Sequence, residues 1–449
     1  MLNEEQQQVV VSNDRFLFLL AGAGSGKTRV LIERMKRLIA EGEDPRGMLA
    51  ITFTRKASIE MQERLNDSRV SIHTFHQLAY IKLEECFNFE VNVIDEGELQ
   101  NYTEDDLLSI TNYKNSLYKG KKPKVFDRYQ QDLIRHSSVD FDDLLITFLR
   151  EIKHHPERLR YRFIFVDEFQ DTNPLQYALL KQLTQKDTSV FAVGDPDQSI
   201  YQFRGATPQI IDDFIKDYQA SVYKLTLNYR SHRAILMRAN QLIKYNSRKY
   251  PKDLIPTKDE QGKAFAMRFN DDIHEAQTII SIIKILKQQG TPYENIAVFF
   301  RHHHRAYSLM LSFHDEHIQF QRQDDLETFH EGIHLMSIHQ SKGLEFDVVF
   351  IIGCEEGILP SRRINMISAH EEERRLMFVA ITRARHLLIA TSIICNRENH
   401  HFTSSVFLRE SGLKNISHTR ISDIISLGDY DGHQKTHQRV GRFTQSSKP

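Results

Sequence analysis

Ala21-Gly22-Ala23-Gly24-Ser25-Gly26-Lys27-Thr28 follows the apolar run Phe16–Leu20 and precedes an amphipathic stretch, Arg29–Ala40. Small residues between a strand and a helix let backbone N–H groups close around an anion, where the helix dipole favours negative charge. Lys27 would reach the outer phosphates of a nucleotide and the Thr28 hydroxyl would bind Mg²⁺. Ala21 stands where such loops usually start with Gly, a tolerable exchange of one small residue for another. The plainer alternative is a Gly-rich turn with no ligand. A second constellation, Arg162-Phe163-Ile164-Phe165-Val166-Asp167-Glu168, ends a strand-like run on two carboxylates. Beside a phosphate loop, Asp167 suits Mg²⁺, directly or through water, and Glu168 suits orienting and deprotonating an attacking water.

These residues need a sheet to bring them together. Apolar runs recur at Phe16–Leu20, Met48–Thr54, Arg162–Val166 and Ser189–Val193, and again at Ser221–Leu227, Asn295–Phe300, Ile333–Ile338, Val348–Ile352 and Leu387–Thr391. Near-continuous apolar strands alternating with helices imply parallel sheets covered on both faces. An α/β chain is expected, with two nucleotide-binding-type units in series, and 449 residues suffice for two or three domains. The segment around residues 82–149 breaks the rhythm. It reads as a helical insertion, acidic at first, then basic at Lys114, Lys119, Lys121, Lys122, Lys124 and Arg128. That basic run could touch phosphates or could be a solvated face.

Composition excludes several classes. With 40% hydrophobic and 27% charged residues, the chain is not wholly disordered. No apolar run approaches a membrane span, no signal-peptide pattern opens the sequence, and three scattered cysteines suit neither disulfides nor zinc. A cytoplasmic protein without membrane contact is expected. A formal charge of −1 means that any nucleic-acid surface must be local. His302-His303-His304 and His400-His401 lack partner ligands at metal-binding spacing and read as surface residues.

Longer motifs narrow the reading. Asp167-Glu168-Phe169-Gln170-Asp171, then Val193-Gly194-Asp195-Pro196-Asp197-Gln198-Ser199-Ile200-Tyr201, resemble the UvrD/Rep/PcrA family of superfamily 1 helicases. The family's other motifs appear in order as Leu2-Asn3-Glu4-Glu5-Gln6, Ile51-Thr52-Phe53-Thr54, His73-Thr74-Phe75-His76, Asn228-Tyr229-Arg230-Ser231, Ser337–Phe346 and Glu373–Ala384. The resemblance implies two RecA-like P-loop domains, 1–81 with 150–218 and 219–414, a shortened insertion at 82–149, and an extension at 415–449, mobile from about 431. It implies ATP and Mg²⁺ as ligands. Gln6 and Tyr229 would hold the base, and Arg29 and Glu345 would lie near the nucleotide. Gln198 would sense the γ-phosphate, and Arg230 and Arg383 would act as arginine fingers; Arg375 could be a surface ion pair. Phe53, His76, Tyr201, Phe203 and Arg204 would line a single-strand track, with Phe203 standing where relatives often carry Trp.

The family's second insertion is missing between Phe320 and Gly332, and no nuclease domain follows the last motif. The implied activity is an ATP-dependent 3′→5′ translocase or helicase on single-stranded DNA or a 3′-tailed duplex. A nucleotide-switched loading subunit needing a protein partner, such as a repair, replication or nuclease component, stays open. RNA as substrate also stays open.

Overall fold

In a computed structural model, residues 1–95, 99, 101–322, 331–361, 367–396 and 400–416 are described. The extension expected to be mobile lies almost wholly outside them. Two six-stranded parallel sheets carry the fold. The first contains β1 (Phe16–Ala21), β2 (Met48–Thr52), β3 (Ser71–Thr74), β4 (Phe163–Val166), β5 (Ser189–Gly194) and β6 (Ser221–Leu225), in the order β3-β2-β4-β5-β1-β6. After a short parallel pair, β7 (Leu227–Asn228) with β8 (Ile255–Pro256), the second sheet contains β9 (Lys263–Phe269), β10 (Ile296–Phe300), β11 (Phe320–Arg322), β12 (Ile333–Ser337), β13 (Phe346–Ile351) and β14 (Ala384–Ile393). Its order is β11-β12-β10-β13-β14-β9. Central strands such as β2 and β10 are buried along their whole length, as helices on both faces require.

One boundary is corrected. Ser221–Leu225, grouped by sequence with the second half, pairs in parallel with β1, Leu17 opposite Ser221 and Ala21 opposite Leu225. The first sheet therefore continues past residue 218, and the chain leaves it after Leu225.

Order within the first sheet places the chemistry. β5 lies between β1 and β4, so the loops after these three strands meet at one edge, outside the carboxyl ends where the strand order reverses. The first of these loops leads into the helix α2 at Lys27–Ala40. In the second sheet, β14 follows a helix at Ile367–Ile381 and pairs with β13, which brings the turn between them to the same cleft.

Between β3 and β4 the chain is helical, with helices at Phe75–Phe87, Glu104–Asn115, Phe126–Arg135 and Phe141–His154. Its basic run does not behave as one surface. Lys114 is fully buried and pairs with Asp140 at 2.5 Å and Asp143 at 2.8 Å, while Tyr129 donates to Asp140 at 2.8 Å. Lys114 is thus part of a small interior held around Leu99, Ile110, Tyr129 and Leu133, not a phosphate contact. Lys119, Lys121, Lys122, Lys124 and Arg128 are exposed. No described helix is long and apolar enough to cross a membrane.

Candidate nucleotide and strand-binding cleft

The loop after β1 is held open by residues from both halves of the chain. Gly24 and Gly26 have φ of +65° and +83°, and Gly26 caps α2 in the left-handed conformation. Asn228 Nδ2 donates to Ala23 O at 2.6 Å, Tyr229 N to Gly24 O at 2.9 Å and Gln6 Nε2 to Ser25 O at 2.9 Å. These bonds fix the carbonyls, so the N–H groups at the start of α2 face the cleft. A side chain at Gly26 would meet Gln6 Nε2 at 2.9 Å, and one at Gly24 would meet Asn228. The cradle therefore depends on glycine at both positions.

Lys27 opens α2 and pairs with Glu168 at 2.9 Å, and Thr28 Oγ1 donates to Asp167 Oδ2 at 3.2 Å. Thr28 and Asp167 thus present adjacent hard oxygen donors, the set that suits Mg²⁺. Burial raises the Asp167 carboxyl, with Glu168 beside it adding to the effect, to about 6. Burial works against ionised Glu168 as well, but Lys27 and Lys342 outweigh it and hold its carboxyl low. Burial likewise opposes the charge on Lys27, yet Glu168 and Asp167 keep its pKa raised. Glu168 adopts φ +51°, ψ +41°, an unusual region for a residue with a side chain, which turns its carboxylate into the cleft.

The second sheet closes the other wall. Arg383, buried in the turn before β14, donates from Nη2 to Gln198 Oε1 at 3.3 Å and from Nη1 to Leu344 O at 3.2 Å. Burial, and Arg230 nearby, lower its pKa to about 9. Arg230 pairs with Glu345 and donates to Thr382 O at 3.3 Å. Burial disfavours the Glu345 charge, but Arg230 and Arg385 hold its carboxyl down at about 2. Lys342 crosses to the first sheet, pairing with Asp171 and donating to Gln198 O at 2.9 Å. Lys27, Thr28, Arg29, Asp167, Glu168, Gln198, Tyr229, Arg230, Glu345 and Arg383 all line one cleft of about 890 Å³.

Phe53 and Tyr201 line the same cleft and stack, ring centroids 4.9 Å apart at 28°. Phe203 is 42% exposed beside Tyr201, and the Arg204 guanidinium lies 5.9 Å from the Tyr201 ring and 5.5 Å from the Phe203 ring. His76 stands apart, edge-on to Phe141 at 5.7 Å, and does not line the cleft. Neither do Ala21, which ends β1 inside the core, and Gly22, where a Cβ would strike Leu254 at 2.4 Å. Gln6 lines the cleft, but its amide is already engaged, accepting from Asn3 N and donating to Ser25 O. Arg375 is not a surface ion pair. It is buried and donates to Ser199 O at 2.7 Å, so it ties the helix Ile367–Ile381 to the loop of Gln198. Sequence reasoning gave Lys342 no role; its place in Ser337–Phe346 was the available signal.

Residues 2–107 and 90–219 match the UvrD/REP helicase N-terminal domain, and residues 223–331 and 320–394 match the UvrD-like helicase C-terminal domain. The chain belongs to the UvrD/REP helicase family. It is 30% identical over 471 aligned residues to a probable DNA helicase of Mycoplasma pneumoniae, covering 91% of this chain and 86% of that protein. It is 36% identical over 348 residues to the ATP-dependent DNA helicase PcrA of Bacillus subtilis and 34% identical over 347 residues to PcrA of Staphylococcus aureus. These two alignments cover 67% of the chain but 47% and 48% of the PcrA proteins, so it spans about half their length. The matched sequence divides between an N-terminal and a C-terminal part, and the cleft lies where the two meet.

Proposed function

We propose that the chain is an ATP-driven 3′→5′ translocase on single-stranded DNA, acting in the cytoplasm and able to displace a strand or a bound protein. What carries this reading is one juxtaposition. Arg230, just after β7, and Arg383, from the second sheet, face Lys27, Asp167 and Glu168 from the first, and the stacked pair Phe53–Tyr201 shares their cleft. In this reading residues 82–149 are an insertion, and the division between the two α/β units falls after Leu225.

Bound MgATP supplies the phosphoryl group whose transfer drives the motor. Thr28 and Asp167 hold the metal, Lys27 the outer phosphates, and Tyr229, 43% exposed, offers its ring to the base. Lys27 pairs with Glu168 at 2.9 Å. Lys27 would turn to the outer phosphates of a bound nucleotide, which would leave Glu168 to act as base on water. Arg230 and Arg383 stabilise charge on the transferring group, as a guanidinium fork suits. Because Arg383 stands on the opposite wall, hydrolysis depends on how the two sheets approach, which couples chemistry to movement.

Bases of any identity can stack on Tyr201 and Phe203, so no sequence preference is expected. The test is displacement of a labelled strand from duplexes with a 3′ or a 5′ single-stranded tail. Release from the 3′-tailed duplex alone is expected; release from the 5′-tailed duplex would overturn the polarity. A second reading, a nucleotide-switched loading subunit, rests on the short link of residues 323–332 between β11 and β12 and on the half-length match to PcrA. It expects strand release only after a protein partner, such as a nuclease, is added.

A further inference from the structure

Between the helix at Arg233–Ile243 and β8, residues 246–252 form a strap bonded to both walls of the cleft. At one end Asn246 Nδ2 donates to Glu371 O at 3.0 Å and Asn246 Oδ1 accepts from Arg374 Nη1 at 2.6 Å. Both partners lie on the helix Ile367–Ile381, which leads directly to Arg383. At the other end Arg248 forms a two-pronged bond to Asp197, at 3.1 and 2.7 Å, and Lys252 pairs with Asp195 and, at 3.1 Å, with Asp197. Asp195 also accepts from Gln198 Nε2 at 2.5 Å.

All four charged groups are buried or nearly so. Burial opposes the Lys252 charge, but Asp195 and Asp197 keep its pKa raised, and burial likewise opposes the Asp197 charge, but Lys252 and Arg248 hold its carboxyl low. Buried charge clusters add little net stability compared with apolar packing of the same volume. Their value lies in fixing one geometry, and here that geometry is the loop carrying Gln198. A second contact supports this. A Cβ on Gly22 would lie 2.4 Å from Leu254 Cδ2, just beyond the strap, so the chain leaving it also rests on the phosphate loop.

We propose that residues 246–252 are a relay that fixes Gln198, through Asp195 and Asp197, to the helix that leads to Arg383, with Asn246 and Arg248 as positioning residues for strand-stimulated hydrolysis. This rests on the motor reading above. Neither residue touches the nucleotide cleft, so both can be changed without altering the cradle. Both changes also leave the fold its charges. Asp197 keeps Lys252 when Arg248 is removed, and Arg374 keeps Glu410 at 2.7 Å when Asn246 is removed.

The experiment compares ATP hydrolysis by the full chain, Asn246→Ala, Arg248→Ala and the double variant, each without DNA and with saturating single-stranded DNA. Each single variant is expected to lose about fivefold or more of the DNA-stimulated kcat, the usual size of a coupling between sites, with DNA-free kcat and KM for ATP unchanged. The double variant is expected to lose less than the product of the two single losses, because Asn246 and Arg248 act along one path, even though Lys252 still holds Asp195 and Asp197. Stimulation retained in both single variants overturns the relay. So does an equal fall with and without DNA, or losses that multiply in the double variant, since either marks a merely structural role. Absence of stimulation in the wild-type chain overturns the motor reading, and the relay with it.

Discussion

Arg383 Nη2 donates to Gln198 Oε1 across 3.3 Å, joining the turn before β14 to the loop after β5. Each belongs to a different half of the fold, so the contact bridges the two walls of the cleft. The residue expected to sense the γ-phosphate and an expected arginine finger thus stand side by side in the cleft. Replacing Arg383 with Ala should lower DNA-stimulated kcat by about a thousandfold or more, which corresponds to roughly 4 kcal/mol of transition-state stabilisation. Binding of a fluorescent ATP analogue should persist. A kcat within a few-fold of wild type would remove Arg383 from the chemistry.

Phe203 is exposed where its neighbour Tyr201 is packed on Phe53 and half-covered. Phe203→Ala therefore removes a stacking surface with little effect on the core. The DNA concentration for half-maximal stimulation should rise by roughly 5–150-fold, for a lost stack of ~1–3 kcal/mol. Phe203→Trp, with a larger ring, should lower it. An unchanged midpoint for both variants would place the strand elsewhere.

Stability should fall in mild acid. Burial lowers the pKa of His76 to about 4 and of His339 to about 3, against an ordinary value of 6.5. The unfolded chain binds protons at both rings near pH 6.5 while the folded chain resists them, so the unfolded state holds more protons between that pH and about 4. The stability they contribute is full above pH 6.5 and is lost as pH falls through the folded values. Thermal unfolding at pH 7 and pH 5 should show this loss, and His76→Gln should flatten the slope. A slope identical to wild type would mean that His76 takes up its proton in the folded chain.

Lys114 separates structure from binding within the basic run. Lys114→Met strands Asp140 without its buried cation and should cost about 3–5 kcal/mol of stability. DNA affinity of the variant, measured where it is folded, should match wild type. Weakened DNA binding with unchanged stability would return Lys114 to the surface.

Much of this architecture was legible because the chemistry sits at the ends of buried strands. β1, β2, β4, β5, β10, β12, β13 and β14 are apolar runs that sequence alone marks out, and the loops after β1, β4 and β5 carry Lys27, Asp167, Glu168 and Gln198. The strands that escaped notice, β3, β9 and β11, lie at or flank the sheet margins. Edge strands face solvent or loops on one side and carry polar residues such as His73, Lys263, Arg268 and Arg322, which blunts the apolar signal. β6 is also an edge strand, and its alternating burial gave no clue to which sheet it joins. Charge was the least legible feature. Lys114 and Arg375 could pass for solvated cations in sequence, and nothing there singled out Arg248 or Lys252, yet each is buried or nearly so against a partner supplied from another segment. Only the tertiary fold decides which cations find such partners.

The most direct measurement is steady-state ATP hydrolysis by the purified chain, alone and with single-stranded DNA, single-stranded RNA or blunt duplex, with Glu168→Gln as the blank. Single-stranded DNA should stimulate turnover strongly and blunt duplex should not, while Glu168→Gln binds nucleotide but stays silent. Turnover that no nucleic acid stimulates, or that survives in Glu168→Gln, would contradict a DNA-driven motor built on this cleft.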